Sequence, residues 1–274
     1  MAGVAAIQMT STTDVEANVA EAVRLLGQAA AAGSVVTVLP ENFALMAGRR
    51  AEILAHAEPY GEGAIQAALA EAASSQGIWV VGGTIPIKTD GERVRAACIV
   101  YDAAGQQVAR YDKIHLFDVG LEAGETHSES RTIEPGEEVV AVDTPAGRLG
   151  LSVCYDLRFP ELYRALLDQG AEIFAVPSAF TAYTGRAHWR PLLRARAIEN
   201  LVYVVAAAQT GIHAKGRETY GHSMLIDPWG EILAEREEGP GVLHAEIELD
   251  RLDELRSQLP SLEHRRLGPE SRTR

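Results

Sequence analysis

Three side chains stand where apolar runs give way to polar sequence, and together they could carry acyl transfer. Cys154 ends the run Leu149-Gly150-Leu151-Ser152-Val153 and is followed by polar residues and Pro160. That pattern reads as a strand-to-helix elbow, where unpaired backbone N–H groups and the helix dipole favour a thiolate and a nearby oxyanion. Glu41 follows Val35-Val36-Thr37-Val38-Leu39 and Pro40, so a carboxylate is placed where a strand leaves the core. Lys113 follows Ala109-Arg110-Tyr111-Asp112 in the same way. Each alone has a plainer reading: a packed cysteine, a solvated loop acid and a surface ammonium. Jointly they supply what amide cleavage needs, because a thiol requires a base and the carbonyl oxygen requires stabilisation as negative charge develops. Cys98, inside Ala96-Ala97-Cys98-Ile99-Val100, keeps the plainer reading.

Arg158 lies four residues after Cys154, about one turn along if the elbow opens a helix, so its guanidinium can reach back over the thiol. There it would hold a substrate carboxylate through two parallel hydrogen bonds. The alternative is an ion pair with Asp156 or Glu161.

Hydrophobic patterning supplies the elements that must position these groups. Strands are expected over 4–9, 34–39, 78–87, 96–102, 107–111, 138–143, 149–154, 171–177, 201–208 and 242–247, and helices over 15–32, 63–76, 160–169 and 186–200. Pro191 is expected at the first turn of the last helix or at a kink. Pro228-Trp229-Gly230 punctuates a hairpin between 224–227 and 231–235. Mixed crossovers and hairpins indicate an α/β protein with a mixed sheet or two stacked sheets, helices outside. No linker divides the 274 residues, so one domain spanning 1–274 is expected, with a charged tail from about 248.

Composition removes several function classes. The formal net charge of -13 repels polyphosphate, so no nucleic acid partner is expected, and an anionic substrate needs a local basic group. The start of the chain lacks the basic, apolar pattern of a secretion signal, and the apolar runs are too short to span a bilayer. A cytoplasmic protein with no membrane association is expected. The 2 cysteines are no disulfide framework. Histidines at 56, 115, 127, 188, 213, 222, 244 and 264 form no familiar ligand pairs, so no metal is expected. No glycine-rich phosphate loop is present either, so cofactors: none.

Leu39-Pro40-Glu41-Asn42-Phe43, Tyr111-Asp112-Lys113-Ile114-His115-Leu116 and the stretch from Gly150 through Cys154 and Arg158 to Leu162 closely resemble, in order, the three signatures of the nitrilase superfamily of carbon-nitrogen hydrolases. The resemblance runs from near the N-terminus to about Arg266. It implies an α-β-β-α sandwich of two mixed sheets flanked by helices, which forms four layers and pairs into a homodimer or higher homo-oligomer, the C-terminal tail contacting the partner. It also implies a catalytic Glu41, Lys113 and Cys154, a second glutamate at Glu129, and an oxyanion contact from the Tyr155 N–H. The stretches Thr184-Gly185-Arg186-Ala187-His188-Trp189 and Tyr220-Gly221-His222-Ser223 are similar to the branch containing deaminated-glutathione amidase and ω-amidase. In that branch the positions of Phe180 and Thr184 face a bound acid beside Arg158. Arg186, Arg190-Pro191 and the segment 120–128 depart from the branch pattern. The implied reaction is thiol-dependent hydrolysis of a small-molecule amide through a thioester, releasing ammonia and a carboxylate. Deaminated glutathione is the leading substrate; 2-oxoglutaramate, a carbamoylase or nitrilase reaction, and a non-catalytic binding protein are the alternatives.

Overall fold

The computed structural model describes residues 1–120 and 126–267. In chain order the first half contains β1 (Ala2–Gln8), α1 (Val15–Ala31), β2 (Ser34–Val38), α2 (Arg50–Ala55), α3 (Ala64–Gln76), β3 (Trp79–Val81), β4 (Ile85–Lys88), β5 (Val94–Tyr101) and β6 (Gln107–Asp112). The antiparallel pair β7 (Asp118–Gly120) and β8 (Thr126–Ser128) follows. Next come β9 (Ala141–Thr144), β10 (Gly147–Leu151), α4 (Pro160–Asp168), β11 (Ile173–Ala175), α5 (Ala182–Asn200) and β12 (Tyr203–Ala206). The chain closes with β13 (Thr210–Ile212), β14 (Glu218–Tyr220), β15 (Ser223–Ile226), β16 (Ile232–Arg236), β17 (Gly241–Ile247) and α6 (Leu249–Gln258).

The period of two along each strand builds the layers. Val4, Ala6, Val36, Val38, Val81, Cys98 and Val100 face one apolar cluster, shared with Leu149, Leu151, Phe174, Val204 and Met224 of the other sheet. Their neighbours Ile7, Val80, Ala97 and Ile99 face the opposite way, onto Leu25 and Leu26 of α1 and Leu69 and Ala72 of α3. Both faces of the first sheet are therefore buried, each Val, Ile or Leu contributing about 1.5–3 kcal/mol. Its order is β17-β1-β2-β3-β5-β4, with β6 on β5. The second sheet runs β16-β15-β12-β11-β10-β9, covered by Leu162 and Leu166 of α4 and Trp189 and Leu193 of α5. Parallel pairs β1–β2–β3 and β10–β11–β12 are flanked by antiparallel strands. The result is the α-β-β-α sandwich of two mixed sheets.

Several boundaries differ from the sequence reading. The apolar run 78–87 is two strands, because Gly83 adopts φ +54 and passes so close to Pro40 that any Cβ there would strike the Pro40 carbonyl. α5 begins at Ala182 rather than 186, so Pro191 lies in its interior and not in its first turn. The short α2, which buries none of its residues, carried no periodic signal. The strand expected over 138–143 starts only at Ala141 and runs to Thr144. α6 packs against the core of the chain: Leu252 is buried in the main cluster, and Arg256 donates to the carbonyls of Leu201 and Ala171 at 3.1 and 3.3 Å. Farther along, Arg265 pairs with Asp168 at 2.6 Å. Among the described residues no helix is long and apolar enough to cross a membrane.

Candidate active site

Glu41 leaves the first sheet just past the end of β2, on a turn fixed from three sides. Leu39 N–H still bonds Val81 O, at 2.9 Å, and Asn42, at φ 58, donates its N–H to Thr84 Oγ1 at 2.9 Å. Asparagine tolerates that left-handed conformation better than most residues. From the segment between β12 and β13, Gln209 Nε2 donates to Glu41 O at 3.2 Å and to Ser11 Oγ at 2.8 Å, while Ser11 Oγ holds Phe43 O. The Glu41 carboxylate is thereby aimed inward at 3% exposure. Its Oε2 accepts the Ala179 N–H at 2.9 Å.

Lys113 directly follows β6 and is 1% exposed. Its backbone is clamped by Ala96 O on one side and the Gly136 N–H on the other. The ammonium lies 2.7 Å from Glu41 Oε1 and 3.0 Å from both oxygens of Glu129. Glu129 opens a one-turn 3-10 helix after β8 and also accepts the Phe117 N–H at 2.6 Å.

Cys154 follows β10 at a sharp turn, with φ 50, and its N–H bonds Pro177 O at 2.9 Å. A non-glycine residue in this region stores about 1–3 kcal/mol, so the surroundings must over-determine it. Asp156, fully buried, does so: it accepts the Val153 N–H at 2.8 Å, Tyr111 O–H at 2.6 Å and His115 N–H at 3.0 Å, and lies 2.7 Å from His115 Nδ1. One carboxylate thus ties the cysteine turn to the segment bearing Lys113. The elbow is a 3-10 turn, Cys154–Arg158, and α4 starts only at Pro160.

Charge states follow from these contacts. Burial favours the neutral acid at Glu41, but the Lys113 ammonium, hydrogen bonds from Lys113 and Cys154, and the charge of Arg217 outweigh it, so its carboxyl sits below the usual range. Burial opposes charge on Lys113 too, yet Glu129 and Glu41 hold it well above the ordinary lysine value. Burial and the adjacent Glu41 carboxylate push the Cys154 thiol well up. The resting set is a carboxylate, an ammonium and a neutral thiol hydrogen-bonded to that carboxylate. Such a set can pass a proton from sulfur to oxygen when an electrophile arrives.

The thiol opens onto a cavity of about 330 Å³ that is also lined by Lys113, Glu129, Tyr155, Arg158, Phe180 and Thr184. All the residues singled out in the sequence therefore share one space. Arg158 does not pair with Asp156 or Glu161: its guanidinium lies over the Phe180 and Tyr155 rings at 5.2 and 5.8 Å, with Nη1 3.2 Å from His188 Nδ1. Asp156 is committed elsewhere, and no described carboxylate pairs with Arg158. Arg217, on the cavity wall, has no motif around it that marked it in the sequence, and Gln209 and Ala179 were equally silent as positioning groups. Of the segment 120–128, residues 121–125 lie outside the described residues. Cys98 is buried away from the cavity, and burial pushes its thiol up to about 12.

Known proteins resemble this chain in sequence and fold. A protein from Synechocystis named deaminated glutathione amidase is 46% identical over 265 residues, covering 95% of this chain and 97% of that protein. The Homo sapiens protein of the same name is 44% identical over 268 residues, covering 96% and 82%. Saccharomyces cerevisiae Nit3, described as a member of branch 10 of the nitrilase superfamily, superimposes with TM-score 0.85 at 31% identity, covering 94% of each chain. The sequence model of the carbon-nitrogen hydrolase family matches residues 3–257, and with these likenesses in sequence and fold the chain belongs to that family, a cysteine-dependent hydrolase of carbon-nitrogen bonds other than peptide bonds.

Proposed function

We propose that the chain hydrolyses deaminated glutathione, with Cys154 as nucleophile. The observation that carries this reading is the ion network of buried Glu41 and Lys113 with the partly exposed Glu129, set against the Cys154 thiol in a cavity that also exposes arginines. The names of the relatives at 44% and 46% identity support the substrate. Deaminated glutathione is a secondary amide with a 2-oxo acid on its acyl side and a carboxylate on its amine side, so it suits a cavity rich in guanidinium.

Glu41 takes the Cys154 proton as sulfur bonds to the amide carbon. Lys113 spends one N–H on Glu41 and shares another between the Glu129 oxygens, which leaves its third for the oxyanion. The Tyr155 N–H, in the first turn of the 3-10 helix where donors lack intrahelical acceptors, supplies the second contact. Collapse of the tetrahedral adduct breaks the C–N bond, and Glu41 returns the proton to the leaving nitrogen. An amine departs from deaminated glutathione, ammonia from a primary amide such as 2-oxoglutaramate. Glu41 then deprotonates water, which attacks the thioester, and the released thiolate recovers its proton. Glu129 orients Lys113 throughout, and Arg158, with Phe180 and Thr184, holds the acyl-side carboxylate.

The test is turnover of deaminated glutathione and 2-oxoglutaramate, with mass spectrometry of an acyl adduct on Cys154. Rapid turnover of the first with a Cys154 thioester supports the reading; an inert first compound beside a good second one overturns the substrate. Arg158→Leu should lower kcat/KM on acidic amides by about a hundredfold while the protein stays folded. We also assign the solution state as a homodimer, on the apolar patch where Ile198, 47% exposed, rests against Gly230 beside Trp229, 53% exposed.

A further inference from the structure

The cavity has an excess of positive charge that one substrate carboxylate does not use. Among the described residues it is lined by Arg49, Arg50, Lys113, Arg158 and Arg217 against Glu41 and Glu129, in a chain whose net charge is -13. Arg49 is engaged by Glu52 at 2.8 Å and Arg50 by Glu92 O at 3.1 Å, and Lys113 is held by the two glutamates. Arg158 lies against rings and a histidine, ready for the acyl-side anion. Arg217 remains.

Arg217 uses Nη2 on Ala179 O at 3.2 Å, and that is the contact that fixes its direction. Its Nε is buried without a hydrogen-bond acceptor among the described residues, and no described carboxylate pairs with it. A guanidinium bound to one carbonyl, with donors left over and no described carboxylate in contact with it, can receive an anion. Its position says which anion. Ala179 is the residue whose N–H holds Glu41 Oε2, so Arg217 is mounted on the Glu41 side of the cavity, and its charge acts on that carboxyl. Arg158 instead belongs to the turn that carries the nucleophile.

We infer that Arg217 is a specificity-determining anchor for a carboxylate on the amine portion of the substrate, opposite the acyl-side carboxylate held by Arg158. The inference rests on the proposed role of Glu41, which must face the leaving nitrogen to protonate it; the amine portion therefore lies along the wall that Glu41 and Arg217 share. Preferred substrates are then amides with a carboxylate on each side of the scissile bond. Charge-assisted contacts at both ends fix the carbonyl between them, and an amide with one free end loses that registration.

The measurement is the ratio of kcat/KM for deaminated glutathione to that for its C-terminal carboxamide, which has the same scissile bond and no amine-side charge. In the wild-type enzyme the ratio should be about tenfold or more, the size of one charge-assisted hydrogen bond, and Arg217→Gln should bring it to near one. Arg217→Lys should give an intermediate ratio, and it supplies the readout if the glutamine variant does not fold. A purely structural Arg217 lowers both rates together and leaves the ratio at its wild-type value, which would overturn the anchor. A wild-type ratio near one overturns it as well, with the amidase reading intact. If neither compound is hydrolysed while 2-oxoglutaramate is, the proposed substrate fails and the anchor fails with it.

Discussion

Lys113 places one buried ammonium between two carboxylates, Glu41 equally buried and Glu129 partly exposed at the cavity. Removing one partner of a buried ion pair costs about 3–5 kcal/mol because the other charge is left uncompensated. Lys113→Met should therefore lower unfolding stability by that amount in urea denaturation and reduce kcat by about 10²–10³, the loss of one oxyanion donor. The pair also sets a pH window. The Glu41 carboxyl is lowered on folding, so its contribution is complete above the unfolded value of about 4.3 and disappears as pH falls through the lower folded value. The Lys113 ammonium is raised, so its contribution is complete below about 10.4 and disappears as pH rises through the higher folded value. Unfolding free energy measured against pH should show both limbs in the wild type. In Lys113→Met the acid limb should shrink or reverse, because burial of Glu41, unopposed by the ammonium, favours its neutral form in the fold and acidification no longer removes a stabilising charge pair. An unmoved acid limb would show that another group governs acid stability.

At the scale of elements, the site depends on Asp156 joining the cysteine turn to the segment after β6. Asp156→Ala orphans the Val153 and His115 N–H groups and the Tyr111 hydroxyl, each worth about 1–3 kcal/mol when buried unpaired. A stability loss of at least about 3 kcal/mol is expected, and kcat should fall about a hundredfold through misplacement of sulfur against Lys113. Denaturation and steady-state kinetics check the two parts separately. This tie is half legible: the sequence offers Asp156 only as a possible partner of Arg158, since spacing does not reveal which distant backbone and side-chain donors a carboxylate turns toward. The strands of the two large sheets, α1, α3 and the β15–β16 hairpin were legible because burial on defined faces imposes a period and Pro228-Trp229-Gly230 marks a turn, whereas the short pairs β7–β8 and β13–β14 carried no such period. What stayed hidden was set by distant backbone, such as the passage of Gly83 under Pro40 that divides 78–87. Arg217 stayed hidden for the same reason, its neighbour Ala179 being 38 residues away along the chain. Glu41, Lys113 and Cys154 were legible because each ends an apolar run, and the sandwich delivers those ends to one place.

For the whole molecule, the α4–α5 side of the sandwich leaves Ile198 and Trp229 exposed on one patch, which is the surface assigned to the homodimer. Light scattering at micromolar concentration should return twice the chain mass, and Ile198→Glu, which places a charge on the symmetric contact, should shift the mass toward one chain. A wild-type mass of one chain would refute the dimer. The two thiols have a consequence of their own. Cys98 is sealed between the sheets with its thiol raised to about 12, whereas Cys154 meets the cavity beside a resident base. A small neutral alkylating agent therefore encounters a single usable sulfur per chain. The mass gained per chain counts functional centres directly, so a preparation can be calibrated by covalent titration without knowing its substrate, and incomplete labelling measures the fraction of chains whose Glu41–Cys154 pair is misassembled.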